Sequence, residues 1–225
     1  LWLANYYEND SNRVSNVVFM GMGEPLMNTE NVLKTINIMQ DQKCYSLSKR
    51  RITLSTSGIV PQIDAITGKT DVSLAISLHA SNDDLRNKIV PINKKYPIKD
   101  LLSSSKKYLK SLSSKSYITI EYILIKDVND SIKDARNLVN LLSDLKCKIN
   151  LIPFNPFPQS EYERSTDQKV DAFKSYLIKN NFIATVRVTR GDEIDGACGQ
   201  LVGKLINPIG SKKLKSKQIS AQNLH

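Results

Sequence analysis

Apolar and polar residues alternate along the chain in short β-rich runs separated by longer helix-like segments. Five such runs stand out: Asn16–Met20, Arg51–Thr56, Val72–Leu78, Tyr117–Ile125 and Lys148–Phe154. Between them lie segments of helical character at Thr29–Gln42, Pro61–Gly68, Ile98–Ser111 and Ser131–Leu145. Thr29 before Glu30, and Ser131 before Asp134, are reasonable helix starts. Strands alternating with helices predict βαβ units and a parallel sheet covered on both faces. The cores Val17-Val18-Phe19-Met20 and Ile149-Asn150-Leu151-Ile152 suit that environment. A sixth β run, Ala184–Thr189, leads into a glycine-rich loop.

Polar punctuation gathers where the runs end. Gly21-Met22-Gly23-Glu24-Pro25 follows the first, Ser55-Thr56-Ser57-Gly58 the second, Ser77-Leu78-His79-Ala80 the third and Pro153-Phe154-Asn155-Pro156 the fifth. In parallel α/β barrels the carboxyl ends of the strands form the ligand-binding face. One station would be unremarkable; four on one rim point to a site. Gly23 and Glu24 form a bare turn whose carboxylate either accepts from an ammonium group or is simply solvated. Ser55 and Ser77 carry short hydroxyls that suit a carboxylate or a ribose hydroxyl, or cap local backbone. His79 either lines a ligand pocket as a donor or sits satisfied at the strand end. It has no second histidine or clustered cysteines beside it in sequence, so a histidine-based metal site is not indicated. The Asn155 amide either reads an adenine edge or makes a turn ahead of proline.

Composition narrows the class. The 225 residues are 40% hydrophobic and 24% charged, an ordinary globular balance that fits one domain. No apolar run reaches the length of a bilayer span, and the opening residues lack a signal-peptide pattern. The chain begins Leu1-Trp2-Leu3-Ala4-Asn5-Tyr6-Tyr7, like the end of an amphipathic helix already under way, which predicts a piece of something longer. The net charge of +10 suits a polyanionic partner. Its excess is mostly lysine in a chain rich in Asn, Ile and Ser, the set an AT-biased genome enriches, so basicity supports RNA binding only weakly. Lys49, Arg50 and Arg51 are placed either to hold phosphates near the rim or as a solvated link into the second strand. Residues 1–203 read as one core, and 204–225 as a basic, flexible tail.

Three cysteines, Cys44, Cys147 and Cys198, lie far apart and fit a reducing cytoplasm. Cys198 sits in Thr189-Arg190-Gly191-Asp192-Glu193-Ile194-Asp195-Gly196-Ala197-Cys198-Gly199-Gln200, flanked by small residues that admit a substrate atom. Arg190 and the backbone amides near Gly196 and Gly199 favour a thiolate; the acidic neighbours oppose it. Cys198 is thus either a nucleophile or a small buried thiol. No Cys-x-x-x-Cys-x-x-Cys or Cys-x-x-Cys occurs in these residues, so they do not by themselves ligate an iron–sulfur cluster in the usual way.

Six segments in order resemble one family: residues 21–28, 47–58, 75–80, 89–96, 148–157 and the Cys198 loop. They are similar to the radical S-adenosylmethionine methyltransferases that methylate adenosine in ribosomal RNA, in the branch acting at adenine C2 of both 23S rRNA and tRNA. The resemblance runs from about Asn16 to Leu201. It implies an α/β fold, a partial (β/α)6 radical SAM barrel lacking its first strand and cluster loop, with the five runs as its second to sixth strands. It implies that Gly23 and Glu24 meet the methionine amino group of S-adenosylmethionine. Ser55, Ser77, Leu78, His79 and Asn155 are its other cofactor contacts. It also implies that Cys198 carries the methyl group as S-methylcysteine and then pairs in a disulfide with an upstream cysteine. The [4Fe-4S] ligands, a helical RNA-binding domain, a catalytic carboxylate and that second cysteine are expected upstream of Leu1. The expected partners are 23S rRNA, tRNA and a flavodoxin-type reductant, for a cytoplasmic monomer with no membrane contact. The alternatives are the C8-directed sibling enzyme and a non-catalytic RNA-binding remnant.

Overall fold

The computed structural model describes residues 14–157 and 160–187. Six strands form one parallel sheet in sequence order: β1 (Val17–Phe19), β2 (Ile52–Thr56), β3 (Ser73–Ser77), β4 (Ile118–Leu124), β5 (Cys147–Pro153) and β6 (Ile183–Val186). The helices between them are α1 (Thr29–Gln40), α2 (Val60–Ile66), α3 (Asp83–Ile89), α4 (Ile98–Ser111), α5 (Ile132–Leu142) and α6 (Asp167–Lys179). The sixth β run is therefore not only a lead-in to the cysteine loop. It pairs with β5 as a sixth strand, one more than the five expected.

In a parallel sheet of strand order 1-2-3-4-5-6, crossovers that share the usual right hand put every connecting helix on the same side. The strands record this in their alternation. Leu54, Leu74, Ile76, Ile120, Tyr122, Ile149 and Leu151 point one way and are fully buried. They pack under α-helical residues such as Ile36, Leu101, Leu138 and Phe173. Tyr122 lies 5.4 Å from the Phe173 ring, between centroids, and donates its hydroxyl to the Asn129 carbonyl at 3.2 Å. The intervening positions carry Thr53, Ser55, Ala75, Ser77, Thr119, Glu121 and Asn150. The expected sheet with both faces covered is thus corrected. Among the described residues only one face is covered by helices, and the other is lined mostly by small and polar side chains, with Ile123 and Ile152 beside them.

Polar residues on that second face share a register. Ser77 pairs with Glu121, Glu121 with Asn150, and Asn150 with Thr185. In parallel strands about 4.8 Å apart, register partners project to the same side. The Asn150 amide donates to Glu121 Oε2 at 2.9 Å, and Thr185 Oγ1 donates to Asn150 Oδ1 at 3.2 Å. This ladder lies just below the carboxyl ends of the strands.

The described part of the 1–203 core is one sheet with its helices. Residues 204–225 lie outside the described residues. No helix among the described residues is long and apolar enough to cross a membrane.

Candidate cofactor site at the carboxyl edge

The turn after β1 brings Glu24 to the edge of β2. Gly23 holds φ +76°, a left-handed conformation that a side chain would strain, and open space surrounds the position where a Cβ would stand. Glu24 caps the 3-10 turn Pro25–Asn28, its Oε1 accepting from Leu26 N–H at 3.0 Å. Its Oε2 accepts both the backbone N–H and the hydroxyl of Ser57, each at 2.7 Å. Two of the sequence stations are thereby clasped together, and Ser57, next to the predicted Ser55, makes the clasp.

Behind the clasp sits a fully buried cation. Arg86, on α3, donates from Nη2 to the carbonyls of Ser57 (2.6 Å) and Ser77 (3.0 Å), and from Nε to that of Leu78 (3.0 Å). Its Nη1 donates to Asn93 Oδ1 at 2.8 Å. Asn93 in turn donates to Asp83 and Asn87, each at 2.8 Å. Burial pushes the guanidinium down to about 10, still charged at neutral pH. Gly58 is closely packed and holds φ +111°, a conformation that a side chain would strain. A Cβ there would stand 3.1 Å from Leu101 and 3.4 Å from Arg86 Nη2.

His79 adopts φ +62° just past β3. Its Nδ1 accepts from Ile123 N–H at 3.2 Å, so a neutral ring carries its proton on Nε2. Burial, and then the charge of Arg86, push its pKa down to about 4. The turn is held from below by Asn129, fully buried, whose amide donates to the carbonyls of His79 (3.0 Å) and Ile123 (2.8 Å). Glu121 is 4% exposed, and burial raises its carboxyl above the usual range against the pull of Asn150, Arg187 and Lys148.

Of the residues singled out from sequence, Gly23, Glu24, Ser55, Ser77, Leu78, His79 and Asn155 all lie at or near the carboxyl ends of β1, β2, β3 or β5. Leu78 contributes backbone only, because its side chain is fully buried in the core. Cys198 and its loop lie outside the described residues. Of the two readings of Lys49, Arg50 and Arg51, the structure matches the solvated link and not the rim: they form an unburied turn entering β2 at its amino end, the opposite edge of the sheet, where Lys49 pairs with Asp71 at 2.6 Å. Ser57, Arg86, Asn93, Asn129 and Glu121 carried no role in the sequence reading. Arg86 in Asn82-Asp83-Asp84-Leu85-Arg86-Asn87-Lys88 looks like one charge on a solvated face.

An open parallel α/β sheet with its polar groups at the carboxyl edge defines a protein of the partial-barrel, cofactor-binding class. The model of the Radical SAM superfamily matches residues 4–139, and the chain belongs to that superfamily. It is 53% identical over 210 residues to the dual-specificity RNA methyltransferase RlmN of Pseudomonas putida, and 53% identical over 209 residues to that of Marinobacter nauticus. These matches take in 91% of the chain but 55% and 57% of the two relatives, so the chain spans about half their length. A radical SAM methyltransferase from Sphaerobacter thermophilus superposes with a TM-score of 0.82 at 40% identity, over 88% of this chain and 57% of that one. A domain of pyruvate-formate lyase-activating enzyme from Bacteroides vulgatus shares the fold, with a TM-score of 0.58 at 16% identity over 77% of this chain and 99% of that one.

Membership implies two cofactors, S-adenosylmethionine and a [4Fe-4S] cluster. The donor set at the carboxyl edge fits the first: a carboxylate, three serine hydroxyls and a neutral imidazole beside an uncrowded glycine turn. These residues do not fit the second. Cys44 is exposed, after α1 and on the amino-terminal side of the sheet, Cys147 is buried on the helix-covered face, and Cys198 is remote from both in sequence. No group of three or more potential metal ligands occurs among the described residues.

Proposed function

We propose that this chain is the core of a radical SAM enzyme that methylates C2 of adenosine in 23S rRNA and in tRNA, with the methyl group passing through Cys198. One observation carries the reading: 53% identity, over 91% of the chain, to enzymes named as dual-specificity RNA methyltransferases. A match of that extent in 225 residues necessarily spans both the Gly23–Glu24 turn and Cys198.

Adenine C2 lies between two ring nitrogens and is too electron-poor to attack an electrophilic methyl group. S-adenosylmethionine supplies the methyl group and, with its cluster, the radical chemistry that such a carbon requires. The chain's own residues bind and orient. Glu24, held by Ser57, presents its carboxylate to the methionine ammonium. Ser55, Ser77 and the Nε2–H of His79 offer hydrogen bonds to the carboxylate and ribose, and the Asn155 amide to the adenine edge. The Cys198 thiolate would take the methyl group from the sulfonium sulfur of S-adenosylmethionine, becoming a thioether as S-adenosylhomocysteine leaves, sulfur being a good nucleophile. Cys147 is unsuited to that work, since burial pushes its thiol up to about 12. The target base leaves its stack to enter the site, so the RNA substrate is a loop or another deformable region. A flavodoxin-type protein would be the electron donor to the complete enzyme, which would work as a cytoplasmic monomer.

The test uses the complete enzyme, with the cluster-binding segment expected upstream, together with reductant, S-adenosylmethionine and RNA. The expected product carries its methyl on adenine C2, and the Cys198 peptide carries one extra methyl. Cys198→Ala is expected to abolish RNA methylation while some cofactor cleavage persists. Methylation at C8 would overturn the regiochemistry. Normal methylation by Cys198→Ala would overturn the role of the thiol, and RNA binding without turnover would support a binding remnant instead.

A further inference from the structure

We infer that Arg86 is a positioning residue for S-adenosylmethionine, holding the ends of β2 and β3 in the geometry that presents Glu24 and the Ser77–His79 turn to the cofactor. The inference rests on the cofactor reading of the carboxyl edge. Ser57 is fixed from two sides, its N–H and hydroxyl by Glu24 and its carbonyl by Arg86 Nη2 at 2.6 Å. The same nitrogen takes the Ser77 carbonyl, and Nε takes that of Leu78. Ser57 and Leu78 lie just past their strands, and Ser77 is the last residue of β3, which leaves buried acceptors in want of a donor. One planar fork satisfies all three and sets the spacing between two neighbouring strand ends.

Among the described residues Arg86 has no direct carboxylate partner. Its four acceptors are three peptide oxygens and the Asn93 amide. Asp83 lies one residue further out, joined through Asn93, and it also accepts from Ile98 N–H at 2.9 Å. The start of α4 thus braces Asn93, and Asn93 fixes the plane of the guanidinium. Arg86 is sealed from solvent, so its influence on binding runs through the carbonyls it holds, those of Ser57, Ser77 and Leu78.

Arg86→Lys keeps a cation but lacks the planar geometry needed to reach all three carbonyls together. In the complete, cluster-loaded enzyme, the dissociation constant for S-adenosylmethionine is expected to rise about tenfold or more, as small displacements at a site cost factors of ten to a hundred. RNA affinity, measured alongside, is expected to stay within about twofold. Leu142→Ala, a cavity in the core at the far end of α5, is the matched control. It is expected to lower the melting temperature and to leave cofactor affinity unchanged at a temperature where all variants are folded. Unchanged cofactor affinity in Arg86→Lys would overturn the inference, as would equal losses in Arg86→Lys and Leu142→Ala. Should Arg86→Lys not fold, Asn93→Ala carries the same test. It frees Nη1 and leaves the three carbonyl bonds in place, and a rise of about threefold or more is expected. Unchanged affinity there would also overturn the inference. Glu24→Gln separates this failure from that of the underlying reading. If Glu24→Gln leaves cofactor affinity intact, the cofactor assignment falls; if it weakens binding while the Arg86 and Asn93 variants do not, only the positioning role falls.

Discussion

His79 shows how a single side chain ties the site to the stability of the fold. Its ring is held neutral by burial and by the nearby charge of Arg86, with a pKa near 4 against the ordinary 6.5. Above pH 6.5 folded and unfolded chains both carry a neutral imidazole, and the group has no effect on stability. As pH falls through 6.5 the unfolded chain takes up a proton that the folded chain refuses, so stability declines until about pH 4. The melting temperature is expected to fall across that window. His79→Asn, which tolerates the left-handed backbone and does not titrate, is expected to show a shallower fall. Parallel profiles for the two proteins would exclude His79 as the source. The residues legible from sequence were those with an obvious motif: a bare glycine turn, a lone histidine, serines at strand ends. Arg86 and Asn129 were not legible, because a buried polar residue that satisfies backbone carbonyls looks identical in sequence to one in water.

The elements followed local rules where those rules are strong. Helix α4 falls at Ile98–Ser111, as its pattern predicts. Helix α5 begins at a full capping box, Asp134 N–H donating to Ser131 Oγ at 3.2 Å and Ser131 N–H to Asp134 Oδ2 at 3.1 Å. Ser131→Ala removes that cap and is expected to cost about 1 kcal/mol in urea unfolding. A loss below about 0.3 kcal/mol would mean that tertiary packing alone sets the start of α5. Two helices were missed for different reasons. Helix α3 is seven residues long, and its one buried side chain is an arginine, so no apolar stripe marks it. Helix α6 did carry the signal, Val170, Phe173 and Leu177 at helical spacing behind a Thr166 cap. Its charged, polar lead-in, residues 160–169, masked it.

On the scale of the molecule, the sheet divides the work between its faces. Parallel sheets are ordinarily buried on both sides and read as continuous apolar runs, which is the expectation the β runs raised. Here most alternate positions on β2 to β5 are Ser, Thr, Ala, Glu, Lys or Asn, with Ile123 and Ile152 the apolar pair at the carboxyl end, and the main hydrophobic core lies beneath the helices. That interruption was present in the sequence, in Ile52-Thr53-Leu54-Ser55-Thr56 and in Ile118-Thr119-Ile120-Glu121. Its meaning depends on strand order, which decides where the helices go. Adjacent residues of one strand should then differ sharply in what they contribute. Leu54 is fully buried under the helices, whereas Thr53 is half-buried on the polar face. Leu54→Ala leaves a cavity in close-packed core and is expected to cost roughly 2–5 kcal/mol. Thr53→Ala loses only strand propensity and local contacts, under about 1 kcal/mol. Urea unfolding of the two variants decides the matter. Equal costs would mean that the polar face is as tightly packed as the other and has no room for a cofactor. A large difference would leave that face free for chemistry, since residues that contribute little to folding can be chosen for what they bind.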